Sequence, residues 1–571
     1  MATSSELLDR ARAWLDDDVD PETRSELEDI IERNDASELE DRFGDRLQFG
    51  TAGIRGVLGA GPMRMNRMMV RRVSAGLADY VIQKIPDARK RGIVIGYDGR
   101  NKSRVFAEDA ARVFIGRGLR VFLSSDVVPT PVVGFAVLKT GAAAGVMVTA
   151  SHNPPEYNGY KVYWENGAQI VPPHDEGISG AIDQSVRAGG IPLAELEEAR
   201  RQGSLSFIGD ELESAYLDGV AGLSISDDRS ERPSTCIAYT PLHGVAARFV
   251  EAALARAGFE TVHSEPSQRE PDGNFPTVAF PNPEEDGAMD NVLALAKRVG
   301  ADVVFANDPD GDRLAVAIPE GADYRMLTGD QIGILLADYL LSRGASDERR
   351  IVATTIVSSQ MLGNMARALG VDYVETLTGF KWIANEALRE VSQNGGRFVM
   401  GYEEALGYSV GDLVRDKDGV SATAIFAELV ADLKARGETV AARLEALYRR
   451  HGFYLTQQHS LTLPGAEGLA RIGDLMRRFR ASPPEAIGGY RVLDRYDLAE
   501  AASDRPRADV LGYYLEGQRR VIMRPSGTEP KLKSYYEISE PVGDDEDFSE
   551  AVSRARRRLA ELREAHQAML V

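Results

Sequence analysis

The sequence predicts an α/β protein of several domains, and three observations support this. Short apolar runs, each followed at once by a Gly- or polar-rich loop, return along most of the chain. Stretches with helical apolar spacing lie between them, and strands that alternate with helices indicate α/β domains. At 571 residues the chain is also too long for one hydrophobic core and calls for three or four units.

In chain order, residues 5–16 and 21–33 place apolar side chains at helical spacing among acid-rich turns and are expected to form an arm or cap. Strand runs follow at 92–98 (Gly-Ile-Val-Ile-Gly-Tyr-Asp) and 144–151 (Ala-Gly-Val-Met-Val-Thr-Ala-Ser), with a helix expected over 103–117. The runs at 236–243 and 302–308 accompany a helix at 245–257; those at 350–355 and 397–403 follow a helix at 330–342. A last run occupies 521–526. Continuous rather than alternating apolar character marks strands covered on both faces, and in such folds the loops at the carboxyl ends of strands carry the chemistry. Polar stretches at 189–210 and 226–233 read as a domain edge and a loop, and composition changes again after the basic helical run at 440–450. The expected units are therefore 1–210, 211–320, 321–450 and 451–571.

The net charge of −21 disfavours nucleic acid as a partner, because phosphate backbones repel such a surface. It still admits a small anionic substrate, provided local Arg, Lys and backbone N–H groups hold it. A salty or crowded cytoplasm would equally suit the acidic excess. No apolar run approaches the ~18 residues of a membrane span, so no membrane partner is expected. The acidic N-terminus lacks the bases of a signal peptide. One cysteine, Cys236, excludes an intrachain disulfide and a thiolate cluster and fits a reducing, cytoplasmic setting.

Asp308-Pro-Asp310-Gly-Asp312-Arg313 is the sharpest motif. Three carboxylates at alternate positions, in a turn tightened by Pro and Gly, can converge on one hard cation such as Mg²⁺. An EF-hand would need Gly at the sixth position and an acid at the twelfth, where this chain has Arg313 and Pro319. An Asp-x-Asp-x-Thr/Val nucleophile fails at Asp312. Thr149-Ala150-Ser151-His152-Asn153-Pro154 ends another apolar run and lacks the Gly-x-Ser-x-Gly of a hydrolase elbow. A Ser-His pair alone is most often structural, but beside a cation a phosphorylated Ser151 would be well matched, with Lys161 close on the same loop. Glu403 and Glu404, in Gly401-Tyr-Glu-Glu-Ala-Leu-Gly407, can bind paired sugar hydroxyls. Arg524-Pro-Ser526-Gly527-Thr528 offers a guanidinium, two hydroxyls and a Gly turn, a fitting phosphate cradle. The segment Phe49-Gly-Thr-Ala-Gly-Ile-Arg55-Gly56 is neither a P-loop nor a dinucleotide fingerprint.

Together and in this order the motifs resemble the α-D-phosphohexomutase family of phosphoglucomutases and phosphomannomutases, over residues 49 to about 537. The resemblance implies four domains around a central cleft: three related mixed α/β domains and a smaller α+β C-terminal lid. It implies that Ser151 is the phosphorylated serine, and that Asp308, Asp310 and Asp312 hold Mg²⁺ together with a phosphoserine oxygen. Glu403 and Glu404 fall in the sugar loop, Thr378 and Gly379 beside it, and Arg524, Ser526, Gly527 and Thr528 at a distal phosphate site. Arg55, His152, Lys161, Arg313 and Lys381 match positions that handle charge or protons. Many members carry Ser two residues after the first acid of the sugar loop, whereas this chain has Ala405. That departure looks like the branch of bacterial phosphoglucomutases and phosphopentomutase-type enzymes.

The implied activity interconverts glucose 1-phosphate and glucose 6-phosphate through a phosphoserine and a sugar 1,6-bisphosphate, the latter also serving as activator. Pentose phosphates and then mannose phosphate come next as substrates, and a phosphatase or glucose 1,6-bisphosphate synthase would use the same phosphoserine. A mere sugar-phosphate-binding module would need no Ser151 beside three aspartates. The implied partners are small sugar phosphates, and the implied assembly is a monomer or weak homo-oligomer.

Overall fold

The computed structural model describes residues 4–50, 53–187, 190–342, 348–463, 465–500, 507–526 and 531–570. Three helices, Ser4–Asp17, Pro21–Arg33 and Ala36–Phe43, form the N-terminal arm. Asp20 caps the second by accepting from Glu22 N, with Pro21 in its first turn, and Asn34 ends it in the left-handed region. Leu27, Ile30, Leu39 and Phe43 face inward and join the core under the first sheet.

The first sheet contains β1 (Gly53–Val57), β2 (Ile93–Tyr97), β3 (Val121–Ser124), β4 (Ala144–Val148), β5 (Tyr157–Trp164) and β6 (Leu205–Ile208), in the order β1-β5-β4-β2-β3-β6. The second has β7 (Ile237–Thr240), β8 (Val262–Ser264), β9 (Val303–Ala306), β10 (Ala315–Glu320) and β11 (Asp323–Met326), ordered β11-β10-β9-β7-β8. The third has β12 (Arg350–Thr355), β13 (Asp372–Thr376), β14 (Arg397–Glu403) and β15 (Gly407–Val410), ordered β13-β12-β14-β15. All five residues of β2 and of β4 are buried, as are all four of β9, as continuous apolar runs require.

One local arrangement recurs in all three sheets. A strand lies between a parallel neighbour and the antiparallel strand that follows it in the chain: β4 between β2 and β5, β9 between β7 and β10, β14 between β12 and β15. Each such strand ends in one of the motif loops. The Asp308 loop touches both flanking units: Thr130 N, at the start of helix Thr130–Thr140, donates to Asp310 O at 2.8 Å, Leu314 N donates to Leu406 O at 3.0 Å, and Arg313 bridges Gly407.

The fourth sheet contains β16 (Phe453–Thr462), β17 (Ala486–Ile487), β18 (Tyr490–Asp497), β19 (Leu511–Leu515), β20 (Arg519–Pro525) and β21 (Lys531–Glu540), and it is antiparallel throughout. Helices Gly465–Ala481 and Phe548–Ala568 pack against it. One apolar core runs through all four sheets, from Val94 to Leu570. The architecture is thus three mixed α/β units followed by an α+β unit.

The polar stretch 189–210 holds more structure than its composition predicted. It contains helix Leu196–Arg201 and β6, which pairs with β3 at the sheet edge. An edge strand needs little apolar cover, and Phe207 is left 48% exposed, so no continuous run marked it. Among the described residues no helix is long and apolar enough to cross a membrane.

Candidate active site

β4 delivers Ser151 in an unusual conformation. Its φ of 54° lies in the left-handed region that non-Gly residues avoid. The surroundings hold it there: its N–H donates to Thr149 Oγ1 at 2.9 Å, and its carbonyl accepts from Arg100 Nη2 at 2.6 Å. Arg100, itself buried, also donates to Pro154 O at 2.8 Å and lies 3.4 Å from Asp98. Two groups stand within reach of Ser151 Oγ, Asp308 Oδ2 at 3.1 Å and His152 Nδ1 at 3.2 Å.

β9 delivers the aspartates. Asp308, Asp310 and Asp312 are fully buried, and one oxygen of each lies within 4.8 Å of the others. Gly311, at φ 70°, permits the turn, and Asn307 Nδ2 closes it on Arg313 O at 2.6 Å. Lys161 Nζ donates to Asp310 Oδ2 at 2.6 Å and Asp312 Oδ2 at 2.9 Å; Thr130 Oγ1 donates to Asp310 Oδ2 at 2.5 Å. Lys417 Nζ is 3.3 Å from Asp312 Oδ2. Asp310 Oδ1 and Asp312 Oδ1 remain buried with no hydrogen-bond partner among the described residues. Burial, reinforced by Asp310 and Asp312, drives Asp308 well above the usual carboxylate range. Lys161 loses from burial but gains more from Asp310 and Asp312, so it is held charged. Hard, buried oxygens, two of them unpartnered, in a concentration of negative charge fit a small divalent cation.

Around this centre, Arg55 Nη1 donates to Asn153 Oδ1 at 2.8 Å, and its guanidinium feels all three aspartates. Arg313 N donates to Asp308 Oδ1 at 3.0 Å, while its side chain lies 3.5 Å from Glu284. His152 is kept neutral, first by burial and then by Arg313 and Arg55. β14 delivers Glu403, whose Oε1 accepts from Gly379 N at 2.8 Å and which faces Lys417 and Arg313. Glu404 turns the other way. Its Oε2 accepts from Ser358 Oγ at 2.9 Å and Thr355 Oγ1 at 3.2 Å, and burial with the Glu403 charge pushes it up to about 7. Thr378 Oγ1 is buried without a partner among the described residues. Lys381, at the start of helix Phe380–Asn394, is lowered by burial to about 8, with Asp175 as the carboxylate that opposes the shift.

The distal loop leaves β20. Arg524 and the carboxylates Glu404 and Glu403 all act electrostatically on Tyr535, and Ser526 N donates to Lys531 O at 2.8 Å. Gly527 and Thr528 lie outside the described residues.

Sequence models of three successive domains match this chain: phosphoglucomutase/phosphomannomutase α/β/α domain I over residues 46–187, domain II over 214–321 and domain III over 328–451. The chain belongs to the phosphoglucomutase/phosphomannomutase family. Among its relatives, a probable phosphoribomutase of Schizosaccharomyces pombe is 38% identical over 91% of this chain and 92% of its own length. A probable phosphomannomutase of Haemophilus influenzae is 41% identical over 83% and 93%. The human phosphopentomutase is 34% identical over 93% and 91%. Family members of this kind are phosphomutases, so the chain is an enzyme of the isomerase and phosphotransferase type.

Several residues at this family site escaped the sequence reading. Lys417 sits in the charged run Arg415-Asp-Lys-Asp-Gly419, which ends at a buried helix, Gly419–Ala435; charges that abut a buried helix were the available signal. Arg100 follows Asp98 at the end of β2, a similar signal. Thr130 and Ser358 carried none, since each is an ordinary hydroxyl in an apolar context.

Proposed function

We propose that the protein is a phosphosugar mutase that carries the phosphoryl group on Ser151. The observation that carries this reading is the placement of Ser151 Oγ 3.1 Å from Asp308 in a cage of three buried aspartates. Asp308, Asp310 and Asp312, with an oxygen of phosphorylated Ser151, are the residues that would hold Mg²⁺. When bound, the ion withdraws charge from the transferring phosphoryl group.

In the forward half, the bond between phosphorus and Ser151 Oγ breaks as one forms to the free hydroxyl of the sugar phosphate, giving a bisphosphate. The bisphosphate then turns over in the cleft. In the return half the bond from its other phosphorus to the sugar oxygen breaks as one forms to Ser151 Oγ. The freed sugar oxygen takes up a proton in place of the one the first hydroxyl gave up. His152 Nδ1, 3.2 Å from Ser151 Oγ, is the acceptor placed to hold the serine proton, since Asp308 is committed to the cation. Lys161 and Arg55 neutralise charge there, and Lys381, at about 8, can exchange a proton near neutrality. Glu403 binds sugar hydroxyls, with Glu404 beside it, and Lys417 and Arg313 favour the charged form of Glu403. The Arg524–Ser526 segment, with Gly527 and Thr528, holds the non-reacting phosphate in both poses.

For the sugar, the relatives named for ribose and pentose and the missing hydroxyl at Ala405 favour pentose 1- and 5-phosphates, ahead of the glucose phosphates that the motifs suggested. Cys236, alone in the chain, suits the cytoplasm. The test is a panel of ribose, deoxyribose, glucose and mannose 1-phosphates, each with and without its bisphosphate. The expected result is interconversion, fastest with a pentose and stimulated by bisphosphate. Release of free phosphate without isomer would indicate a phosphatase, and accumulating bisphosphate a synthase.

A further inference from the structure

A cavity of ≈190 Å³ lies between helix Phe380–Asn394 and the segment that follows β15. Its wall is largely apolar, with Phe380, Ala384, Ala387 and Val414 buried around it and Phe398 beside them. The exposed Glu348, Arg397 and Asp412 complete the lining, with Arg397 paired to Glu348. Two buried donors interrupt the apolar part. Ser409 is 2% exposed and, among the described residues, its Oγ has no hydrogen-bond partner; the Nε–H of Arg415 is also buried without one there. In apolar surroundings an unmade hydrogen bond is costly, so both groups call for an acceptor. Asp416, also on the wall, is already engaged: Oδ2 accepts from Tyr163 Oη at 2.7 Å and Gln169 Nε2 at 2.6 Å, and Oδ1 from Lys417 N at 2.8 Å. Arg415 otherwise donates through Nη1 to Asn166 O at 2.7 Å. An apolar chamber of about 150 Å³ is enough to hold benzene, so this one admits a single aromatic ring with a short polar group.

We propose that the cavity is a second small-molecule site, which takes a small aromatic carboxylate. The ring lies on Phe380, Ala384 and Phe398, and the carboxylate accepts from Ser409 Oγ–H and Arg415 Nε–H. The site shares a wall with the catalytic side. Lys417 Nζ lies 5.8 Å from the centre of the Phe380 ring and 3.3 Å from Asp312 Oδ2. An occupant that moves Phe380 therefore moves a cation of the aspartate cage, and turnover follows occupancy.

The experiment is titration of the full chain with benzoate, read by ligand-observed NMR and calorimetry, with and without glucose 1,6-bisphosphate. Saturable binding that the bisphosphate does not displace is expected, with kcat changed at least threefold at saturation. Ala387→Leu, which fills the chamber, should abolish binding and leave basal turnover within twofold. Ser409→Ala should weaken binding about tenfold, the loss of one well-made hydrogen bond. No saturable binding, displacement by the bisphosphate, or full affinity in folded Ala387→Leu would each overturn the proposal. If Ala387→Leu does not fold, unchanged affinity in Ser409→Ala overturns it alone. The binding readout does not depend on the mutase reading, so the two can fail separately.

Discussion

Ser151 sits at a φ of 54°, a conformation that Arg100 and Thr149 enforce through bonds to its own backbone. Strain of this kind persists where the surroundings over-determine it, and here it aims Oγ at the aspartates instead of along the strand. Ser151→Ala should keep the fold, because the enforcing bonds are made by backbone atoms, and should lower kcat by roughly a thousandfold or more, as loss of a covalent carrier does elsewhere. Peptide mass analysis should find one phosphoryl group on the parent's Ser151 peptide and none on the variant; full activity in Ser151→Ala would end the mechanism. Glu404 allows a test by pH. Its carboxyl is raised from 4.5 to about 7, so between those values the unfolded chain releases a proton that the folded protein keeps. Stability therefore falls as pH rises across that window and is flat above it. Glu404→Gln cannot ionise, and its stability relative to the parent should improve by about 1–3 kcal/mol between pH 5 and pH 8. Denaturant melts at the two pH values check this; an equal difference at both would show that Glu404 is not perturbed.

At the scale of the element, the recurring hairpin explains why three distant motifs can cooperate. β4, β9 and β14 each end where an antiparallel partner begins, so each loop must turn sharply and expose a few polar side chains at the carboxyl edge. The Asp308–Asp312 turn concentrates three carboxylates there, with Lys161 and Lys417 as the compensating cations. Asp310→Asn removes one hard anionic oxygen and breaks an ion pair. It should reduce kcat by more than about a hundredfold, beyond what supporting residues around a metal cost when mutated. Far-UV circular dichroism should be unchanged, and titration with Mn²⁺ as a probe should show weakened binding. Treatment with EDTA should abolish parent activity and Mg²⁺ should restore it; an indifferent rate would reduce the aspartates to an acidic turn.

Across the whole molecule, the joint between the third and fourth sheets is polar and buried. Arg520 is 2% exposed, lies 2.9 Å from Glu537 and 3.2 Å from Glu375, and donates to Ser358 O at 2.6 Å. Ser358 in turn binds Glu404, which links the loop after β14 to the fourth sheet. Arg520→Met would leave the buried Glu537 and the half-buried Glu375 without their cation, a loss of about 3–5 kcal/mol. Urea unfolding should show it, and a loss under ~1 kcal/mol would mean that the joint behaves like a surface pair. Placement of the fourth sheet also governs the distal loop. If the Arg524 loop serves both substrate poses, Arg524→Ala should lower kcat/KM in both directions by roughly ten- to a hundredfold, the cost of one charge-assisted contact. A defect confined to one direction would contradict a shared site.

Much of this was legible in the chain alone. Strands buried on both faces must be continuously apolar, and a loop that binds a cation must carry its acids close together, so β4, β9, β14 and the residues around Ser151, Asp308 and Glu403 stood out by local pattern. The α/β class and the family followed from those segments. Long-range packing decided the rest. Lys161 and Asp310 are 149 positions apart, Thr130 and Asp310 are 180 apart, and only the order of strands in two different sheets joins them. Lys417 and Arg100 act because a folded neighbour stands beside them, and β6 exists because β3 offers it an edge. Glu403 and Glu404 look alike in the sequence; their opposite environments come from Gly379 on one side and Ser358 on the other. Local periodicity and composition record what each segment must bury, whereas the charge, partners and proton affinity of a side chain depend on which distant segments the core brings against it.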